Sequence, residues 1–99
     1  KTSVAEEEAF PKLYRASEQE EYPIEGNNLV IGRGKESDIR LKGLFAPRVK
    51  VKIHKSGPDW VMEAEGKKAV RVNGEKMEEK VLQEEDLIAI GSEEFVFKH

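Results

Sequence analysis

The residues that could do chemistry in this chain are mostly charged, and the most regular group lies at 48–54. That stretch reads Arg-Val-Lys-Val-Lys-Ile-His, so a basic side chain recurs at every second position. On a β-strand these side chains share one face, where they could hold an anion. Lysines on an exposed strand also protect it from pairing with other chains, so a purely solvated basic face is the alternative interpretation.

Acidic residues cluster at Glu84, Glu85 and Asp86, but nothing in the sequence pairs them with catalytic partners. No set of histidine, carboxylate and nucleophile accompanies them, and no metal-ligand spacing occurs. The chain also contains no cysteine, which excludes disulfides and thiolate metal sites. We therefore expect a protein that is not an enzyme and that carries no metal and no cofactor.

The charge balance restricts the partners. The chain has 17 basic and 20 acidic side chains and a net charge of −3, which argues against a general nucleic-acid binder. Residues 48–76 nevertheless hold eight of the basic side chains and four of the acidic ones, which suits a small anionic target. No apolar run is long enough to cross a bilayer, so we expect no direct membrane insertion. The absence of cysteine fits a reducing, cytoplasmic location.

Short apolar runs follow Pro11 at close spacing, separated by Gly, Pro, Asn and Asp, and this rhythm predicts a β-sandwich or barrel. We expect residues 1–10 to be a flexible acidic tail and residues 11–99 to be one domain. Within 48–54 the β-branched side chains should face the core. Ser56 to Asp59 and Asn73-Gly74 are predicted hairpin turns. The predicted strands are 13–16, 22–25, 29–31, 38–41, 48–54, one starting at 60–62, 70–72, 81–82, 87–90 and 94–98.

The large aromatic residues are assigned mainly to the core. Trp60, Phe95 and Phe97 fall within predicted strands and should be buried. Phe45 differs, because it lies in a loop between two strands. It could be an exposed contact for a partner or could be tucked under the loop.

Several local motifs occur in a fixed order along almost the whole chain, from residue 12 to residue 98. They are Gly26 and Asn28 before Leu29-Val30-Ile31-Gly32-Arg33, then Ser37-Asp38-Ile39-Arg40-Leu41, Pro47 to Ile53, Trp60, Val72-Asn73-Gly74, Leu82 to Asp86, and Ile90-Gly91 before Phe95 and Phe97. In this order and spacing the sequence resembles a forkhead-associated (FHA) domain. The resemblance implies an all-β fold, an FHA-like β-sandwich of two twisted, mainly antiparallel sheets with about eleven strands. It also implies that ligand loops gather at one end, where the usual member grips a phosphothreonine peptide.

The resemblance carries over only some of the family's ligand residues. Arg33 matches the arginine of the family's Gly-Arg motif, although it could instead pair with Asp38. In the usual Ser-Arg-any-His motif Arg48 is kept, whereas Pro47 replaces the serine and Lys50 the histidine. Where relatives have Asn-Gly-Thr, this chain has Lys-Ala-Val. The predicted ligand-binding residues are Arg33, Arg48, Lys50, Lys68 and Asn73, the last as a residue that holds loop backbone.

The departures from the family motif shape the predicted function. Proline has neither a hydroxyl nor a backbone N–H, so Pro47 removes two phosphate donors at once. We therefore expect a non-catalytic protein–protein interaction module in signalling, with weakened or lost phosphothreonine specificity and a protein or peptide partner that can be phosphorylated. The alternative is a structural or assembly domain of a larger, membrane-associated protein that reads no phosphate, as in the inner ring of type III secretion machines. His54, beyond the family's histidine position, is predicted to be an exposed strand residue.

Overall fold

A computed structural model describes residues 10–41, 48–66 and 70–99, and these residues form eleven β-strands. The strands are β1 (Lys12–Arg15), β2 (Glu20–Pro23), β3 (Asn28–Gly32), β4 (Ile39–Arg40), β5 (Lys50–Ser56), β6 (Asp59–Glu65), β7 (Val70–Val72), β8 (Glu75–Lys76), β9 (Glu79–Val81), β10 (Leu87–Ile90) and β11 (Glu93–Lys98). Within these three stretches there is no helix with the length and apolar character to span a membrane.

The strands form two sheets. One has six strands in the order β2-β1-β11-β10-β7-β8, and the other has five in the order β4-β3-β5-β6-β9. Neighbouring strands run antiparallel, except that β3 and β4 are parallel. This architecture confirms the predicted all-β fold, including its eleven strands and its mainly antiparallel pairing.

The β5–β6 hairpin follows from alternation and turn chemistry. Val51 and Ile53 are completely buried on one face of β5, as their β-branched side chains and period-two spacing predict. The strand begins at Lys50 instead of residue 48 and continues to Ser56, because pairing with β6 extends as far as Asp59. Gly57 closes the predicted turn with a φ of 61°.

The second predicted turn, Asn73-Gly74, joins β7 to β8. Both residues have positive φ, 55° and 85°, as a type I′ turn requires. Val72 pairs with Glu75 across the turn. The predicted hairpin is therefore confirmed at the residues that the turn chemistry indicates.

One hydrophobic core lies between the sheets. Phe95 and Phe97 enter it from β11, and Trp60 enters it from β6, with exposures of 0%, 1% and 6%. The assignment of these three aromatic residues to the core is confirmed. Because both sheets pack against this core, the loops at the ends of the strands are held in defined positions.

Several predictions fall on residues outside the described part of the chain. These are the predictions for the tail residues 1–9, for Phe45 and Pro47 in the segment 42–47, and for Lys68 in the segment 67–69. Phe10, the last residue of the predicted tail, is described and is 44% exposed.

Candidate functional site

An open cleft of about 650 Å³ lies where the last residues of β3 and β6 meet the first residue of β5. It brings together three of the predicted ligand residues, Arg33, Arg48 and Lys50, all of which are exposed. The residues that line the cleft are Gly32, Arg33, Gly34, Glu36, Ser37, Arg48, Val49, Lys50, Glu65 and Gly66. Arg33 is therefore brought onto one concave surface with Arg48 and Lys50, which lie 15 and 17 residues later in the sequence.

The loop that carries Arg33 is closed by local hydrogen bonds. The amide of Asp38 donates to the carbonyl oxygen of Val30, and a carboxylate oxygen of Asp38 accepts from the amide of Val30, both at 2.8 Å. Asp38 thus braces the base of the loop instead of pairing with Arg33. Across the described ranges Arg33 has no ion-pair partner, so its guanidinium is available to a ligand.

Arg48 is positioned by a close approach of the backbone at Gly66. Gly66 has a φ of 95°, and a Cβ built on it would lie 2.7 Å from the carbonyl oxygen of Arg48. Only a residue without a side chain fits there without a shift of the backbone. Gly66, which directly follows β6, therefore packs against Arg48, which lies two residues before β5.

The basic face of β5 divides into two parts. Lys50 lines the cleft, opposite Glu65 in the sheet register. Lys52 pairs in register with Glu63 and does not line the cleft. His54 was predicted to be exposed but is half-buried, because its Nε2 lies 3.0 Å from a carboxylate oxygen of Glu63. Beyond Lys50, this face is a cross-strand surface of the sheet.

The cleft also contains two carboxylates that the sequence analysis did not assign to it. Glu36 and Glu65 line it together with the three cations, which leaves one net positive charge among the lining side chains. The cleft can therefore attract an anion, but its field is weaker than the three cations alone would give. No sequence signal marked these acids, because their proximity depends on how the strand ends meet.

Asn73 is located outside the cleft and makes a bracing contact. Its side-chain amide donates to Asp86 at 2.9 Å, and its side-chain oxygen accepts from the amide of Leu87 at 2.9 Å. Burial raises the pKa of Asp86, but hydrogen bonds from Lys80, the amide of Gln83 and Asn73 outweigh it, so that the pKa lies below its ordinary value. Asn73 thus ties the β7–β8 turn to the start of β10.

A largely buried ion pair lies within the six-stranded sheet, between Arg15 in β1 and Glu93 in β11. Arg15 is 3% exposed, and its Nε and Nη2 each lie 3.1 Å from a carboxylate oxygen of Glu93. Its Nη2 also donates to the carbonyl oxygen of Arg40 on the other sheet. The hydrogen bond from Arg15, opposed by burial, lowers the pKa of Glu93. No motif in the sequence indicated this pair, although position 15 shares the inward face of Leu13.

Comparison with known proteins gives the same fold. Mycobacterium tuberculosis EmbR in complex with a low-affinity phosphopeptide is similar with a TM-score of 0.82 and 23% identity, over 98% of this chain and 28% of EmbR. The FHA domain of the Chlamydia trachomatis CT664 protein has a TM-score of 0.78 and 22% identity, over 91% of this chain and 97% of that domain. For the yeast Dun1 FHA domain, in complex with a doubly phosphorylated peptide, the values are 0.63 and 19%, over 90% of this chain and 73% of that one.

These similarities establish the fold, and the sequence itself establishes the family. None of the curated proteins compared with the chain matches it. The sequence profile of the FHA domain matches residues 29–91, which include β3 from its second residue, β4 to β10 and all the residues that line the cleft. Since this match covers more than half of the chain, the protein belongs to the FHA domain family.

Proposed function

We propose that this FHA domain is a non-catalytic interaction module that binds a phosphorylated segment of another polypeptide and discriminates poorly between phosphothreonine and phosphoserine. The observation that carries the proposal is the convergence of Arg33, Arg48 and Lys50 on one cleft. EmbR and the Dun1 FHA domain, which share the fold, have both been seen with phosphopeptides, and this supports a phosphorylated ligand.

The chemistry of the cations suits a phosphate. Each guanidinium of Arg33 and Arg48 presents a planar fork that matches two phosphate oxygens, whereas Lys50 acts as a point charge with looser geometry. A hydrogen bond to a charged group contributes about 1.5–3 kcal/mol. Two such bonds therefore favour the phosphorylated form of a peptide by about two to four orders of magnitude, less the effect of Glu36 and Glu65.

Poor discrimination follows from the side chains that replace the family's donors. Pro47 provides neither the hydroxyl nor the amide that relatives have at that position, and Lys50 stands where they have histidine. The remaining contacts are largely electrostatic and are directed at the phosphate, which phosphothreonine and phosphoserine share. Recognition of the threonine methyl group needs a shaped contact in addition to charge.

Peptide libraries with a central phosphothreonine, phosphoserine or unmodified threonine test the proposal, with affinity measured by fluorescence anisotropy. We expect both phosphorylated libraries to bind within about threefold of each other. The unmodified library should bind at least tenfold more weakly, and phosphopeptide affinity should fall as salt rises. A strong preference for phosphothreonine would contradict the proposed discrimination, and equal binding of all three libraries would contradict phosphate recognition.

Single variants locate the binding site. We expect R33M, R48M and K50M each to weaken phosphopeptide binding, with the arginine variants more affected because a bidentate contact is lost. Lys35 is the matched control, since it is an exposed cation in the same loop as Arg33 but does not line the cleft. K35M should change the affinity by less than about twofold. An equal loss in all four variants would indicate a general charge effect instead of a site.

An assembly domain that reads no phosphate is the second candidate. The observation that favours it is the presence of Glu36 and Glu65 within the cleft, where they oppose an incoming anion. In this case the domain would contact its partner through other surfaces. Phosphopeptide binding would then be undetectable, and R33M would leave partner binding unchanged.

A further inference from the structure

The hydroxyl of Ser37 is a buried polar group without a partner. Its Oγ is inaccessible to solvent and makes no hydrogen bond within the described ranges. Arg15 and Asp86, the polar residues that are buried within the described ranges, each make several hydrogen bonds to side chains or backbone. A buried hydroxyl without a partner is unfavourable, and in a native fold such a group calls for an explanation.

Ser37 lines the cleft together with Arg33, Arg48 and Lys50. Its backbone amide donates to the carbonyl oxygen of Gly34 at 3.1 Å, which fixes its main chain in the loop. The side chain is packed over Gly32, where an added Cβ would lie 2.9 Å from Oγ. The hydroxyl is therefore held at the wall of the cleft by the shape of the backbone and not by a bond of its own.

The only freedom left to this side chain is rotation about its Cα–Cβ bond. A serine side chain has three staggered rotamers, and rotation here breaks no hydrogen bond, because none is made by Oγ. An anion in the cleft would give the hydroxyl an acceptor, and O–H donors form short, strong bonds to anionic oxygens. Binding would then satisfy a group that the ligand-free domain leaves unsatisfied.

We propose that Ser37 is a ligand-binding residue that donates its hydroxyl to the phosphate held by Arg33, Arg48 and Lys50. It would supply, from the β3–β4 loop, the hydroxyl donor that Pro47 cannot provide. The inference rests on the proposed function and adds to it a residue that the family motif does not assign.

The proposal gives the Ser37→Ala substitution opposite effects on folding and on binding. Removing an unsatisfied hydroxyl leaves the ligand-free domain as stable as wild type, or more stable. The same change removes a donor to the bound phosphate, so affinity falls. A serine with a purely structural bond would behave differently, because its loss would lower the stability of the ligand-free domain.

The experiment measures thermal unfolding and phosphate-dependent binding of wild type, S37A and S56A. Ser56 is an exposed serine at the far end of β5 and is the matched control. We expect S37A to bind inorganic phosphate and the phosphoserine library roughly 10- to 150-fold more weakly, with a Tm equal to or above that of wild type. S56A should match wild type in both measurements.

A second measurement follows the Ser37 amide signal by two-dimensional NMR during a phosphate titration of the wild-type domain. We expect this signal to shift together with that of the Arg33 amide. If wild type binds phosphate and S37A binds it with the same affinity, the role of Ser37 is overturned and the proposed function stands. A Tm of S37A well below that of wild type, or a failure of S37A to fold, would have the same consequence. Failure of wild type to bind phosphate and both phosphorylated libraries would overturn both proposals.

Discussion

Arg40 donates a hydrogen bond from its Nε to the carbonyl oxygen of Arg33, at a distance of 3.1 Å. Arg40 lies in β4, which pairs in parallel with β3, and the amide of Leu41 donates to the carbonyl oxygen of Gly32 at 2.7 Å. The carbonyl groups of Gly32, the last residue of β3, and of Arg33 are thus held by Arg40 in β4 and by Leu41, which follows it. The side chain of Arg33 projects from a backbone segment that β4 keeps in place.

The substitution R40M tests this arrangement. We expect phosphopeptide affinity to fall about 3- to 10-fold, because the Arg33 carbonyl is released and the loop can shift. The free energy of unfolding should change by no more than about 1 kcal/mol, which is typical of one exposed hydrogen bond. Titration with the phosphorylated libraries and urea denaturation provide the two measurements.

R71M is the matched control for R40M. Arg71 is also exposed and donates to a carbonyl oxygen, that of Gly74 at 3.3 Å, but it does not line the cleft. Both variants remove one positive charge. If R71M weakened binding as much as R40M, the effect would come from net charge and the positional role of Arg40 would be wrong.

Substitution of Gly66 by alanine should damage the cleft from the opposite side. Its φ of 95° is strained for alanine, and the new Cβ would meet the carbonyl oxygen of Arg48 at 2.7 Å. We expect G66A to lower the free energy of unfolding by about 2 kcal/mol or more and to weaken phosphopeptide binding, because Arg48 is displaced. Urea denaturation and library titration measure the two effects.

Substitution of Gly57 is the control that distinguishes the cost of backbone strain from the cost of the contact with Arg48. It also has positive φ, 61°, but a Cβ built on it would have nothing within 4 Å. G57A should therefore cost only about 1 kcal/mol and leave binding unchanged. Equal stability losses in G57A and G66A would show that the approach to Arg48 contributes nothing.

Much of the fold could be predicted from the sequence because its signals are local. Alternation places Val51 and Ile53 in the core, and the Asn73-Gly74 pair requires a tight turn. Period-two spacing and positive φ depend on neighbouring residues only, so one sequence is enough to recognise them. The ends of the strands were predicted less accurately, as at β5, because the extent of a strand depends on the strand with which it pairs.

The cleft could be predicted only in part, because its residues come together through tertiary structure. The family motif indicated Arg33 and Arg48, whereas Glu36 and Glu65 carry no motif. Arg15 illustrates the same limit, since a charged residue in a short strand is normally assigned to the surface. Its burial is possible because Glu93, 78 residues later, provides a bidentate partner.

Breaking the Arg15–Glu93 pair should destabilise the domain strongly. R15M leaves the carboxylate of Glu93 partly buried and without its partner, and we expect a loss of about 3 kcal/mol in the free energy of unfolding. In the double variant R15M/E93L an apolar pair replaces the ions, so the loss should be smaller than the sum of the single losses. Urea denaturation of the three variants measures this coupling.

The exposed pair of Lys12 and Glu21 is the control for this comparison. Their charged atoms lie 3.6 Å apart, and the side chains are 42% and 52% exposed. E21Q should change the free energy of unfolding by no more than about 0.5 kcal/mol, because solvent screens the pair. A cost for R15M as small as that for E21Q would contradict a stabilising role for the buried pair.

Stability should fall in acid because of two carboxylates, Asp86 and Glu93. The folded protein lowers the pKa of each below its ordinary value: in Asp86 hydrogen bonds outweigh the raising effect of burial, and in Glu93 the hydrogen bond from Arg15 dominates. The unfolded chain, with pKa values of about 3.9 and 4.3, therefore binds protons first as the pH falls. The stabilisation is complete above about pH 5 and is lost as the pH drops through the folded-state pKa values.

Urea denaturation from pH 7 to pH 3 measures this dependence. We expect the urea midpoint of wild type to decline below about pH 5. The double variant D86N/E93Q should be less stable at pH 7, with a shallower decline, since neither side chain can take up a proton. E25Q removes an exposed carboxylate outside both hydrogen-bonded groups and should retain the wild-type steepness. A decline in D86N/E93Q as steep as in wild type would mean that other carboxylates cause the loss of stability in acid.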